Sequence, residues 1–563
     1  MRSIVVPFAY LVAVLLACAV LLAIASGSAI GAETDRTADP TIGSTVPDVE
    51  ENESAPGRIV EVYPNPPTRY DRGEYLLVEL DRPGNWSVTD GYTDVSLPTT
   101  RTGTFAVTRD PNDTARFTDA SIHEAPRSFR LADDGETLRL KLDGEPIDRV
   151  RYERAPESQR WLREEWGFRP DGFEPRPPAR FGGTETTAFV LPDSPEVPID
   201  VLESADERIY LGGYTLRSWR VAEALLAANR SGVDVYVLVD ASPVGGISTE
   251  QAAILDTLVS GGVTVEAIGG DRSRFRFHHP KYAVVDDRAI VLTENWGPAG
   301  TGGSDSRGWG VVVSHPGVAD ELAAIYEHDM GWKDTIPWRT YRDRIDVHER
   351  PLATGSHPTH HGAETIEADS VTVFAAPDNA EPVVIETIDR ANRRVDIKQP
   401  RIGSPDFPKL QAAIEAAERG VEVRILLSDA WYDEDANEVL ARLLNERAER
   451  EGLPLEVRVD DPAGRYGKIH AKGVIADDTV VLKSVNWNNN SVHNNREIGV
   501  LLEGEQIAAY YRDVFDGDWM AGTEERTGVE NRRPIGPIVL VGVFAAGMLY
   551  YAARTIEFED VGY

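Results

Sequence analysis

The chain has 563 residues, enough for several domains with large cores. It carries 93 acidic against 58 basic residues, a formal net charge of -35, and a single cysteine, Cys18, which excludes any disulfide within the chain. Eight of the bases are lysine and fifty are arginine. An acidic, lysine-poor surface stays hydrated and dispersed where salt screens self-repulsion, so the composition reads as a halophile's solubility device; the plainer reading is an acidic protein that avoids nucleic acid.

Residues 3–32 contain no charge, and Ile4 to Ile24 is almost wholly apolar and long enough to span a bilayer. The segment 1–32 ends in small residues that suit a signal peptidase, so a cleaved signal peptide and an uncleaved anchor both stay open. Cys18 sits inside the apolar run as a spectator thiol. Residues 33–56 are acidic and polar and read as a flexible spacer. From 57 to 144 short strand patterns alternate with turns, among them Arg58 to Tyr63, Glu74 to Leu80, Ser128 to Leu131 and Thr137 to Leu140, which predicts a small β-sandwich. Residues 145–182, rich in Arg, Pro and Trp, read as a connector.

The spans 183–339 and 369–520 repeat each other. Arg208 to Leu211 answers Arg394 to Ile397, a helical pattern over Arg220 to Asn229 answers Pro408 to Arg419, and Val233 to Asp240 answers Val421 to Asp429. Continuous apolar strands after helices predict βαβ units in two homologous α/β lobes. The linker 340–368 holds His357, His360 and His361 in a Pro/Thr/Gly setting that suits a solvated loop better than a metal cluster. Pro534 to Ala553 is twenty uncharged residues and reads as a transmembrane helix with Tyr550 and Tyr551 as interface anchors. Arg2 and Arg554 favour an external middle region and Arg532 and Arg533 oppose it; the signal-like start decides for a cell-membrane protein whose catalytic region is extracellular.

The chemistry lies late in each repeat. His279, Lys281, Asp286, Thr293 and Asn295 recur at the same offsets as His470, Lys472, Asp477, Ser484 and Asn486. On an extended strand, residues two apart leave from one face, so each set gathers an imidazole, an ammonium, a hydroxyl and an amide. Lys281 and Lys472 were kept as lysine where arginine fills nearly every other basic position. These two sets resemble the HKD motif of the phospholipase D superfamily. The strings IVEVYPNPP, GEYLLVEL and Gly84 to Val88 resemble, more modestly, a lamin-tail domain.

Two packed sets would place His279 and His470 on opposite sides of a phosphorus, one as nucleophile and the other as acid for the leaving oxygen. Lys281, Lys472, Asn295 and Asn486 would hold the non-bridging oxygens, with Thr293 and Ser484 adding hydroxyls. Asp286 and Asp477, part of the motif, suit turn formation better than direct catalysis. The resemblance further implies a carboxylate downstream that orients each histidine. Glu497 fits in the second half, whereas the first has Gly308 there and Asp305 as the nearest substitute. By resemblance His279 is the nucleophile and His470 the acid/base. No cofactor is called for and no metal-ligand spacing lies near either motif. The expectation is a membrane-anchored phosphodiesterase or phosphatidyltransferase working on phospholipid through a phosphohistidine. An extracellular endonuclease acting on DNA and a non-catalytic envelope scaffold are the alternatives.

Overall fold

The computed structural model describes residues 55–521 other than 67, 99, 101, 157, 164–166, 171 and 271–272. The segments expected to meet the membrane, 1–32 and 534–553, lie outside the described residues. Among the described residues no helix is long and apolar enough to cross a membrane.

Residues 57–170 form two mainly antiparallel sheets around one core of Ile59, Leu76, Trp86, Phe105, Leu138 and Val150. Alternation drives it: in Glu136–Leu142 the leucines are buried while Arg139 between them is exposed. Two details differ from the sequence reading. Ser128 to Leu131 is not a strand: it leaves a turn at 126–129, closed by the Phe129 N–H on the Pro126 carbonyl, and Phe129 and Leu131 enter the core from loop backbone. The span read as a connector instead supplies strands Glu145–Tyr152, Gln159–Leu162 and Gly167–Pro170, with Val150, Tyr152 and Trp161 buried in the core.

Lobe 1 runs β1 (Thr184–Leu191), α1 (Val197–Glu203), β2 (Arg208–Gly213), α2 (Trp219–Ser231), β3 (Asp234–Asp240), α3 (Thr249–Ser260), β4 (Thr264–Ile268), β5 (Lys281–Val285), β6 (Arg288–Leu292), β7 (Ser306–Val313) and α4 (Pro316–Met330). Lobe 2 repeats it as β8 (Ser370–Ala376), α5 (Ala380–Asp389), β9 (Arg394–Gln399), α6 (Pro408–Glu418), β10 (Glu422–Leu427), α7 (Glu434–Glu451), β11 (Leu455–Val459), β12 (Gly473–Ala476), β13 (Thr479–Lys483), β14 (Glu497–Glu503) and α8 (Glu505–Met520). The sheet orders match, β4-β3-β2-β5-β6-β7-β1 and β11-β10-β9-β12-β13-β14-β8. The first three strands of each are parallel and the rest antiparallel. Local chemistry sets the helix limits. Ser218 caps α2 by accepting the Val221 N–H, and Gly232, at φ 101°, ends it in a conformation that suits glycine.

The lobes exchange strands. Ala179–Phe181, ahead of lobe 1, pairs with β8, and Glu364–Ala368, ahead of lobe 2, pairs with β1. Helices α4 and α8 lie in a shared interlobe core with Val318, Leu322 and Tyr326 from one and Ile507, Tyr511 and Phe515 from the other. Each fully buried side chain of this size contributes about 1.5–3 kcal/mol. The linker is ordered onto both lobes: the backbone N–H groups of His360 and His361 bond to Asp193, and His361 Nε2 accepts from Arg465 at 2.9 Å.

Candidate active site

Each hairpin β5–β6 and β12–β13 begins with its histidine and lysine and turns at its aspartate. Asp286 and Asp477 take φ values of 53° and 49° at these turns, and each carboxylate accepts three backbone N–H bonds, from 206–208 and from 392–394 respectively. Burial pushes the Asp286 and Asp477 carboxyls up, but those N–H groups outweigh it and hold both below the ordinary value. A strand of five residues separates Asp286 from the histidine end, roughly 20 Å, so these aspartates are placed outside the catalytic group.

The histidine ends meet across the lobe boundary. The His279 N–H bonds to the Arg496 carbonyl at 2.9 Å, and the His470 N–H to the Arg307 carbonyl at 3.0 Å. Each strand that would follow its own lobe's histidine thus supports the other's. His279 Nδ1 lies 2.8 Å from Glu497, in lobe 2, and His470 Nδ1 lies 3.0 Å from Glu294, in lobe 1. A carboxylate only accepts, so both rings carry the proton on Nδ1 and keep Nε2 free for chemistry. The Lys281 ammonium lies 3.1 Å from His279 Nε2 and donates to the His279 carbonyl; Lys472 donates to the His470 carbonyl at 2.7 Å. Each histidine feels both lysine ammonium groups, and each lysine feels both glutamates, so the two sets share one electrostatic neighbourhood at the lobe boundary.

Burial dominates the titration. It lowers His279 to about 4, with Glu497 opposing and Lys281 adding to it. It lowers His470 in the same sense, with Glu294 opposing and Lys472 adding. Burial also brings Lys281 down to about 7, against the pull of Glu497 and helped by Lys472, and Lys472 to about 8 against Glu294 and Glu497.

Two sequence expectations need correction. The carboxylates are crossed between halves: Glu497 orients His279 and not the His470 of its own half, Glu294 orients His470, and Asp305 serves neither, its carboxylate pairing with Lys468 at 3.3 Å. Pairing of Leu292 with Gly310 and of Lys483 with Gly499 aligns Gly308 with Glu497 and Glu294 with Val485. The carboxylate has moved from one strand to its neighbour, and a Cβ on Gly308 would lie 2.1 Å from Glu294 Cγ. The second Glu497 oxygen accepts from Asn495 at 3.0 Å, whereas Glu294 Oε1 has no partner among the described residues. A signal was present: the exchange of Glu and Gly at 294 and 308 for Val and Glu at 485 and 497. Second, the hydroxyls do not face a ligand. Thr293 Oγ1 accepts the Trp309 N–H at 2.9 Å, and Ser484 Oγ accepts the Ile498 N–H at 3.0 Å, both fully buried in the sheet. Asn295 and Asn486 remain half-buried beside the cleft, and Asn295 Oδ1 has no partner among the described residues. Of the arginines that precede the two motifs, Arg274 pairs with Asp334 at 2.9 Å in full burial, Arg465 bonds to the Gly517 carbonyl at 2.5 Å, and Arg276 is exposed over the Phe277 ring. Arg272 lies outside the described residues. His278 is a packed neighbour whose N–H bonds to Asp240 at 2.6 Å.

Two buried arginines lock the cleft. Arg307 is held by Asp193 of its own lobe at 2.7 Å and Asp518 of the other at 3.0 Å, over the Tyr466 ring. Arg496 is held by Asp378 at 2.6 Å and Asp329 at 3.0 Å, over the Phe275 ring. The ring of Tyr214 stands edge-on to His279, 4.6 Å between centroids, with no aromatic equivalent in lobe 2, where Pro400 takes the place.

A duplicated α/β fold that brings one histidine–lysine set from each half to the lobe boundary defines a two-lobed class of protein. The family described as cardiolipin synthase, PLD-like domain, matches residues 199–330 and 384–519. Among solved structures the chain is similar to a phosphatidylserine synthase from Haemophilus influenzae Rd KW20, at 17% identity and TM-score 0.46, over 58% of this chain and 84% of that one. It is also similar to Nuc, a phospholipase D family member from Salmonella typhimurium, at 19% identity and TM-score 0.24, over 29% and 98%. No curated protein matches the chain in sequence. The chain belongs to the phospholipase D superfamily and is an enzyme of its phosphodiesterase or phosphatidyltransferase kind.

Proposed function

We propose that the chain is a membrane-tethered enzyme that cleaves or exchanges phospholipid phosphodiesters through a phosphohistidine. One observation carries the mechanism: each imidazole has its Nδ1 fixed by a carboxylate of the opposite lobe, which leaves both Nε2 atoms to the shared cleft. In this reading His279, the more buried and the one held near 4, is neutral and attacks phosphorus. The Lys281 ammonium leaves Nε2 for a phosphate oxygen as the N–P bond forms. The P–O bond to the leaving alcohol breaks, and that oxygen takes the proton from His470 Nε2. A bound diester's negative charge favours the protonated His470 this step needs. Water or a second alcohol then gives its proton to His470 and attacks phosphorus, the N–P bond breaks, and His279 is restored. Lys281, Lys472, Asn295 and Asn486 hold the non-bridging oxygens. The four side chains supply nucleophile, acid and charge stabilisation themselves, which supports a metal-independent reaction.

The family match supports lipid, as do the uncharged stretches at 3–32 and 534–553. One observation favours the endonuclease alternative. Arg139 and Arg149 face each other across adjacent strands, both exposed, with Arg151 beside them: a cationic sheet face on an acidic chain. Incubation with radiolabelled phospholipid and with plasmid DNA, in molar salt with and without chelator, separates the readings. Lipid turnover that survives chelator is expected. Nicking alone supports the nuclease, and inertness to both, with His279→Ala indistinguishable from wild type, refutes the enzyme mechanism.

A further inference from the structure

The loops that follow β3 and β10 are equivalent under the lobe duplication, since Asp234 and Glu422 hold the same register against β2 and β9. Counted from those residues, Pro243-Val244 and Trp431-Tyr432 occupy the same positions. Both pairs put apolar surface into solvent: Val244 is 69% exposed, Trp431 85% and Tyr432 52%. Both also stand beside a catalytic histidine. The Val244 N–H bonds to the Tyr214 hydroxyl at 2.5 Å, and the Tyr214 ring packs on His279. Tyr432 lies under the ammonium of Lys468, 5.7 Å from its ring centroid, two residues before His470. Exposed Trp219 begins α2, five residues beyond Tyr214, and exposed Leu352 adjoins Pro351, whose carbonyl accepts from Arg217. Three of the ten large apolar residues exposed among the described residues, Val244, Trp431 and Tyr432, therefore sit on these two equivalent loops, one from each lobe.

We infer that these loops seat the cleft on a phospholipid bilayer, with Trp431, Tyr432 and Val244 entering the headgroup–acyl boundary; the inference rests on the lipid-substrate reading above. Three features favour lipid over a protein partner. Indole and phenol rings have an apolar body and a polar tip and collect at membrane interfaces. Cations stand beside these apolar residues, where lipid phosphates could meet them, although Lys468 is shared with Asp305 at 3.3 Å. Lys468 lies over Tyr432, Arg350 donates to the Val244 carbonyl at 2.5 Å, and Arg217 donates to the Arg350 and Pro351 carbonyls. The apolar residues also come from both lobes, on the loop beside Tyr214 in one and on the loop beside Lys468 in the other. A protein seated across both would shut the cleft, whereas a fluid lipid surface leaves it open and supplies diester from within the layer.

The test uses the full-length chain with phosphatidylcholine/phosphatidylglycerol vesicles, with and without brominated acyl chains. Bromolipid quenching of tryptophan fluorescence in wild type should exceed that in Trp431→Phe; equal quenching overturns the docking. The double variant Trp431→Ser/Tyr432→Ser should lose tenfold or more in turnover of vesicle lipid while its turnover of soluble bis(4-nitrophenyl) phosphate stays within twofold. Unchanged vesicle turnover, or equal loss on both substrates, overturns it. Wild type that quenches at Trp431 and cleaves the soluble diester but no lipid supports the docking and removes the lipid-substrate reading.

Discussion

Replacing Glu294 by valine copies lobe 2, where Val485 occupies that place, and deletes the carboxylate 3.0 Å from His470 Nδ1. A buried hydrogen bond to a charged group is worth about 1.5–3 kcal/mol. At 1.36 kcal/mol per decade, kcat/KM for diester turnover should fall about 10- to 150-fold. The pH profile should also move. Burial and Lys472 lower His470 while Glu294 raises it, so without Glu294 the limb that reports protonated His470 shifts to lower pH. A merely structural glutamate would leave that limb in place. Gly308→Glu alone should be damaging, because its Cβ would lie 2.1 Å from Glu294 Cγ. Glu294→Val combined with Gly308→Glu removes that clash and restores the carboxylate in lobe 2's geometry, so activity should return to within tenfold of wild type. Stopped or steady-state assays on bis(4-nitrophenyl) phosphate between pH 4 and 9 read all four proteins. Wild-type kcat/KM and an unmoved limb in Glu294→Val would refute the reasoning, as would a double variant worse than either single one.

Other expectations follow from the same contacts. The wild-type kcat/KM profile should rise from about pH 4, as His279 loses the proton that blocks attack, fall first on the limb where His470 loses its proton, and fall further above about 7 and 8, as Lys281 and Lys472 lose the charges that hold phosphate; the absence of any further fall between pH 7 and 9 contradicts the lysine roles. Thr293→Val should cost about 1–3 kcal/mol in denaturant unfolding, because it strands the buried Trp309 N–H, while KM per folded molecule stays within twofold; a raised KM would return the hydroxyl to the substrate. Arg307→Ala leaves Asp193 buried without a cation, while Asp518 keeps Lys398 and Arg465, and should destabilise the protein by about 3–5 kcal/mol, read by chemical denaturation; a loss under 1 kcal/mol contradicts the lock.

The sequence by itself determined the duplication, the α/β class of both lobes and the two histidine–lysine sets. These are local properties: strand and helix periodicity, turn residues such as Asp286 and Asp477, and an offset pattern repeated along one chain. It also showed Glu497, which precedes an apolar strand at the spacing the resemblance implies. Only the tertiary structure decided which groups serve which histidine. Glu294 reaches His470 because β7 and the His470 segment lie side by side across the lobe boundary, 176 residues apart in sequence. The same crossing gives each histidine its backbone acceptor and each buried arginine an aspartate from the other lobe. Hydroxyl direction was likewise undecidable from spacing, since residues 293 and 295 share a face only while the strand stays regular. Here β6 ends at Leu292, and the sheet takes the Thr293 hydroxyl for itself. Pairings within a strand follow from its period, but pairings between lobes depend on how two separately folded sheets meet, and no periodicity along the chain encodes that.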